Sequence, residues 1–203
     1  MSGAAAGGRP TGPRVIAIAA VAANGVIGDG ACQPFGFRED LRRFRAVTMG
    51  HPMILGHVTH RIMGLLGGRT SVVISRDPAS VRFPPDPPRG SRGIAVPSLA
   101  EALRVAAGLD RDRVFVCGGG QVYRAAMDWV GELDITRVHA DAAGPVTFPE
   151  IDAATWREVE RVGGELFDFV RYERVGAPRR IPTAGCAGAP APAASGGPVG
   201  EGG

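Results

Sequence analysis

Val15-Ile16-Ala17-Ile18-Ala19-Ala20-Val21 is the stretch on which the fold turns. The run is apolar without interruption and Asn24-Gly25 supplies a turn just after it, so it reads as a strand buried on both faces and central in its sheet. Further apolar, β-branched runs follow at Met53 to Leu55, Ser71 to Ser75, Gly93 to Val96, Val114 to Cys117 and Leu133 to Ala140, with helical segments between several of them. Strands alternating with helices imply an α/β class and a largely parallel sheet. One helix start is well marked: Ser98 with Glu101 makes a capping box, and Leu99, Ala102, Leu103 and Ala106 recur at helical spacing up to an end near Gly108. The last two strands, around Trp156 to Val162 and Leu166 to Val175, are joined by Gly163-Gly164 and read as a tight hairpin that closes the sheet with antiparallel pairing. Pro84 to Pro88 marks an exposed loop, since these prolines cannot donate to a ladder.

Composition narrows the chemistry. All 23 residues counted as lysine or arginine are arginine, which removes Schiff-base catalysis and a P-loop lysine. The net charge of +3 favours anionic ligands mildly, but the arginines are spread and form no basic block, so nucleic acid is not an expected partner. Cys32, Cys117 and Cys186 are too few and scattered for a disulfide framework, and the four histidines show no metal-ligand spacing. We expect no metal and a reducing, cytoplasmic compartment. Val15 to Ala23 is far shorter than the roughly 20 residues that span a bilayer, and the start of the chain lacks signal-peptide patterning. Residues 1–13 read as a flexible extension and 14–175 as the one domain. Residues 176–203, almost free of large apolar side chains, read as a disordered tail that cannot offset its ordering entropy by burial.

Several residues carry possible chemistry. Projected as a helix, Phe37 to Thr48 puts Phe37, Leu41, Phe44, Val47 and Thr48 on one face, with Arg38, Arg42, Arg43, Arg45 and Ala46 opposite or flanking. Asp40 falls on the apolar face, where desolvation would disfavour its charge as at many active sites. It reads equally well as a first-turn residue facing the helix dipole. Val114 to Cys117 feeds Gly118-Gly119-Gly120 and then the helical Gln121-Val122-Tyr123, a strand, glycine turn and helix in which backbone amides can approach a phosphate or the glycines merely allow close packing. Leu55-Gly56-His57-Val58-Thr59 has the same form, and two such helix starts suggest a dinucleotide. Arg69, at the mouth of the sheet, is placed to clamp a carboxylate in bidentate fashion or to lie in a solvated loop. Ser75-Arg76 can hold a phosphate or begin the Asp77-Pro78 turn, and Thr136 can simply pack in its strand. Cys32 and Cys117 lack a neighbouring histidine and read as loop or core thiols.

Together these pieces resemble dihydrofolate reductase over nearly all of Arg14 to Val175. The matching stretches are Ile18-Ala19-Ala20 with Asn24-Gly25-Val26-Ile27-Gly28, Pro34, Asp40-Leu41-x-x-Phe44, Leu55 to Thr59, Gly68-Arg69, Ser75-Arg76, Gly118 to Tyr123, Thr136 and Thr147-Phe148-Pro149. The resemblance implies a three-layer α/β/α fold with a mainly parallel central sheet of about eight strands closed by a C-terminal antiparallel hairpin. It implies reduction of 7,8-dihydrofolate by NADPH in a monomer. Asp40 would bind the 2-amino side of the pterin and support protonation of N5, and Arg69 would hold the glutamate carboxylate. Ile18, Leu41, Phe44 and Thr136 would shape the substrate pocket. NADPH would be contacted by Ala20, Ile27, Gly28, Gly56, His57, Val58, Thr59, Ser75, Arg76, Gly118, Gly119, Gly120, Gln121, Val122 and Tyr123.

The sequence departs from the family pattern in places. Phe35 stands where a tryptophan is usual and His57 where an arginine or lysine is usual, which leaves the 2′-phosphate more dependent on Arg76. Gly144-Pro145-Val146 replaces an acidic Gly-Asp-Thr, His60 an aromatic and Gln33 an apolar residue, and the Arg61 to Gly67 loop is one residue short. These changes keep two other readings open: a paralogue that binds nucleotide or pterin without turnover, and a reductase of another pterin or a pyrimidine. Arg69 speaks against the last, because a substrate without a glutamate tail gives it nothing to bind.

Overall fold

The structure is a computed structural model and describes residues 12–30 and 33–182. Cys32, Cys186, most of the N-terminal extension and residues 183–203 of the expected tail lie outside the described residues. Strand β1 (Arg14–Val21) is central as expected, and its two faces feed two cores. Val15, Ala17 and Val21 point into one, with Leu103, Val114 and Leu133; Ile16 and Ile18 point into the other, with Met53, Leu55 and Phe115. The period-two alternation of a strand thus explains why no polar residue interrupts the run.

Following β1 come β2 (Val26–Gly28), α1 (Arg38–Thr48), β3 (Pro52–Gly56), α2 (His57–Met63), β4 (Thr70–Ile74) and β5 (Arg92–Val96). The chain continues with α3 (Leu99–Leu109), β6 (Arg113–Val116), α4 (Gly120–Ala126), β7 (Glu132–Val138), β8 (Val146–Thr147), β9 (Trp156–Val162) and β10 (Phe167–Arg174). The eight-stranded sheet has the order β5-β4-β3-β6-β1-β7-β10-β9. Its first six strands are parallel, while β10 pairs antiparallel with both β7 and β9, so the sheet is mixed and closed by the C-terminal hairpin as the sequence implies. Phe44 and Val47 of α1 pack on one core, and α3 and α4 bring Leu103, Ala106 and Tyr123 to the other. The Ser98 side chain accepts from the Glu101 amide, so the predicted cap of α3 forms.

One local expectation needs correction. The hairpin is not a two-residue turn at Gly163-Gly164: residues 163–166 all lie between β9 and β10, and the Leu166 carbonyl accepts from the His139 amide, just past β7, at 2.9 Å. Leu41, on the apolar face of α1, is 53% exposed. The sequence also gave no sign of a second, two-stranded sheet, in which Val26 pairs with Thr147 and Gly28 with Val146. Gly144 makes that approach possible: a Cβ there would lie 2.3 Å from the Gly28 carbonyl oxygen. Past β10 the chain stays against the domain for some residues, since the Arg179 amide donates to the Asp128 carbonyl at 2.7 Å and Ile181 packs on the larger core.

Candidate active site

A cleft of about 1370 Å³ opens over the carboxyl ends of β1, β3, β4 and β6, where an open parallel sheet leaves room between its connections. It exceeds the roughly 300–1,000 Å³ of a pocket for one drug-sized ligand. Of the residues expected to bind substrate or cofactor, all line this cleft except Thr136. Ile18 and Ala20 come from β1, Ile27 and Gly28 from β2, and Asp40, Leu41 and Phe44 from α1. The turn into α2 gives Gly56, His57, Val58 and Thr59; Arg69 precedes β4 and Ser75-Arg76 follow it; and the turn into α4 gives Gly118, Gly119, Gly120, Gln121, Val122 and Tyr123. The exposure of Leu41 is therefore at the cleft mouth.

Thr136 acts from behind. Its hydroxyl donates to Oδ1 of Asp40 at 2.6 Å, linking α1 to β7 across 96 residues of chain. Asp40 is half-buried, and burial pushes its carboxyl above the ordinary aspartate value; the Thr136 bond and the Arg43 charge pull the other way, and the Asp134 charge adds to the rise. Arg69 is only 7% exposed. Its Nη1 donates to Thr48 Oγ1 at 3.2 Å and its Nε to the Gly67 carbonyl at 3.2 Å, while Thr48 Oγ1 donates in turn to the Phe44 carbonyl at 2.6 Å. Burial draws its pKa down from the usual arginine value. A guanidinium anchored in this way at the cleft wall suits a carboxylate.

Glycine is needed on the opposite wall. Gly118 has φ +110°, a conformation closed to other residues, and Cβ atoms at Gly119 and Gly120 would lie 3.2 Å from Thr59 Oγ1 and 3.0 Å from the Thr147 carbonyl oxygen. The Gly118 carbonyl accepts from the Gly56 amide at 2.8 Å, which joins the two glycine turns that the sequence singled out. Beneath them the Tyr123 hydroxyl donates to the Ile18 carbonyl at 2.6 Å, and burial raises its pKa well above the ordinary tyrosine value. Cys117 is buried and its thiol is likewise pushed far up, in keeping with a core thiol. His60 takes the place of an aromatic by packing as one, with its ring 5.1 Å from that of Phe83. Phe35 lies outside the cleft lining and stacks on Phe37 at 5.7 Å.

Sequence reasoning missed other residues here. Arg45 and Arg124 also line the cleft and add positive charge, and Pro145 and Val146 close it beside Gly28. Arg43, which the helical projection set opposite or flanking, reaches Asp134 of β7 at 2.6 Å. The signal was present in Leu133-Asp134-Ile135-Thr136, where an aspartate two residues before Thr136 must share its face. Among the described residues no group of three or more His, Cys, Asp or Glu side chains is placed to hold a metal ion, and no helix is long and apolar enough to cross a membrane.

Comparison with known proteins agrees with this geometry. A family model described as dihydrofolate reductase matches residues 14–174. The dihydrofolate reductase of Neisseria gonorrhoeae is 35% identical over 167 residues, covering 78% of this chain and 97% of that protein. Dihydrofolate reductase HdrB of Haloferax volcanii is 34% identical over 168 residues, covering 79% and 84%. The solved dihydrofolate reductase of Enterococcus faecalis, complexed with NADP(H) and RAB-propyl, superposes with a TM-score of 0.66 at 28% identity, over 79% of this chain and 96% of that one. Fold, cleft and relatives agree, and the chain belongs to the dihydrofolate reductase family.

Proposed function

We propose that this member of the family, an NADPH-dependent oxidoreductase, reduces 7,8-dihydrofolate to 5,6,7,8-tetrahydrofolate, with Asp40 supporting protonation at N5. The observation that carries the reading is the pairing of one half-buried carboxylate, Asp40, with one anchored guanidinium, Arg69, in a single cleft. A pterin that offers N–H groups at one end and carries a glutamate carboxylate at the other matches those two charges.

The opposite wall fits a dinucleotide. Gly118 to Gly120 line it with bare backbone, and Arg45, Arg76 and Arg124 supply positive charge along the cleft. NADPH, when bound there, supplies the hydride. The protein's own part is to orient, to exclude water and to manage the proton. Asp40 accepts hydrogen bonds from the 2-amino and ring N–H edge of the pterin; Thr136 fixes the carboxylate, and Phe44 and Ile18 shield it from bulk solvent. The proton that N5 gains comes from water, held and polarised with help from Asp40. Arg69 takes the glutamate end, and Ser75 and Arg76 take the cofactor's 2′-phosphate.

The test is loss of near-ultraviolet NADPH absorbance on adding dihydrofolate, run beside Asp40→Asn and with NADH in place of NADPH. Turnover that needs Asp40 and prefers NADPH is expected. Turnover that survives Asp40→Asn would remove Asp40 from its role.

A further inference from the structure

A second charged pair stands directly behind Asp40. Asp40 and Arg43 are three residues apart on α1 and share a face; Asp134 and Thr136 are two apart on β7 and share a face. Helix and strand therefore meet in two rungs, Asp40 with Thr136 and Arg43 with Asp134, each at 2.6 Å. The Arg43 guanidinium also lies 4.6 Å from the centroid of the Phe169 ring, and Phe169 is the β10 residue in register with Thr136. Oδ1 of Asp134 is sealed from solvent, and among the described residues no aligned hydrogen bond reaches it, so its contact with Arg43 is an ion pair. A buried carboxylate burdens folding unless it is paired, and an apolar side chain of similar volume can often replace such an ion pair.

Without Asp134 two acids of α1 lie at pairing distance from Arg43: Glu39, four residues before it and exposed, and Asp40, three before it and half-buried on the side that faces β7. A guanidinium seated on Asp40 would compete with the substrate for the same oxygens. We propose that Asp134 is a positioning residue that draws Arg43 away from Asp40 and so keeps the Asp40 carboxylate open toward the cleft. The proposal rests on the role assigned to Asp40 above.

The remaining charges around Asp40 leave this pair as its immediate electrostatic neighbour. On α1, Arg38, Glu39, Arg42 and Arg45 are exposed, Arg45 at the cleft. On β7, Glu132 is tied to Arg14 at 3.2 Å. Strand β1 presents Ile18 and Ala20 in register with Asp134 and Thr136, with no charge. On β10, Arg171 is in register with Asp134 and is engaged by Glu160 at 3.3 Å. Arg43 favours and Asp134 opposes ionisation of Asp40, so removal of either charge must move the titration of Asp40, in opposite directions.

The experiment compares the parent with Asp134→Asn, Arg43→Met and the double variant. In the ligand-free protein, carboxyl-carbon NMR reads the titration of Asp40; steady-state kinetics reads the Michaelis constant for dihydrofolate apart from kcat. Asp134→Asn is expected to move the Asp40 midpoint to lower pH and to raise the Michaelis constant roughly tenfold, the loss of one charge-assisted hydrogen bond, with a smaller effect on kcat. Adding Arg43→Met should bring both readings back toward the parent, which a merely structural role for Asp134 does not predict. Arg43→Met alone should raise the midpoint, and it keeps the test decisive if Asp134→Asn does not fold. An unmoved midpoint in either single variant, or a double variant no better than Asp134→Asn, overturns the proposal. Because the NMR titration needs no turnover, failure of the pair is distinct from failure of Asp40's role, which Asp40→Asn reads by itself.

Discussion

Asp40 binds its proton more tightly when folded than when unfolded, because burial raises its carboxyl. Its contribution to stability is thus present at low pH and is lost as pH rises from the ordinary carboxylate value through the raised one. Asp40→Asn should melt at a higher temperature than the parent at neutral pH, with the difference vanishing under acid, a comparison that thermal unfolding across pH makes directly. The same variant should lose about a hundredfold or more in turnover while its NADPH affinity, read by fluorescence titration, barely changes, if the carboxylate serves the pterin as proposed. For the parent, turnover at saturating substrates should fall as pH rises, because N5 must gain a proton; a flat profile through neutral pH would count against that step. Arg69→Ala should raise the Michaelis constant for dihydrofolate by roughly tenfold or more and leave kcat nearly intact, as loss of a uniform binding contact does. Asp40, Arg69 and the glycine turns each read two ways from their own residues; it was their joint order and spacing, through the family resemblance, that put them at one cleft, where the structure also brings them. Asp134 shares a face with Thr136 by strand spacing alone, but its partner Arg43 stands far earlier in the chain, and only the fold brings the two together. Thr136 was legible as a residue but not in its action, which reaches the cleft through Asp40 alone.

Among the elements, the parallel strands and α3 could be read ahead of the structure because both sheet faces or one helix face must be apolar and a capping box marks a start. Ser98→Ala should cost about 1 kcal/mol in urea unfolding, since it leaves the Glu101 amide without its acceptor. The small β2–β8 sheet escaped notice because two or three residues are too few to show a period. The hairpin was misjudged for another reason: the glycine pair is real, but Glu165 and Leu166 also belong to the connection, and the Leu166 carbonyl is taken by the His139 amide beyond the end of β7. In the α4 turn, Gly118→Ala should weaken NADPH binding and lower the melting temperature together, because a side chain at φ +110° strains the backbone and also crowds the Tyr123 ring at 3.3 Å. Calorimetry and a binding titration on one preparation would test both halves.

Across the whole molecule, two cores share one sheet, and the chain beyond β10 folds back on the larger of them. Arg179 lies 4.7 Å from the centroid of the Trp129 ring, so Arg179→Ala should lower unfolding free energy by about 0.5–1 kcal/mol, measured by urea titration of the full chain. The two ends of the sheet differ: β5 follows a proline-rich loop, and the outer strand β9 carries Arg157, Glu158, Glu160 and Arg161, whose alternating charges make it a poor template for another strand. The central position of β1 has a consequence in time. It is the first strand made, yet its neighbours β6 and β7 are encoded at residues 113–116 and 132–138. The most apolar segment of the chain leaves the ribosome about ninety residues, on the order of ten seconds, before either side of it can be covered. During synthesis its protection must come from elsewhere, and substitutions that slow β6 or β7 would show first as lost soluble yield, with the melting temperature of the surviving protein little changed.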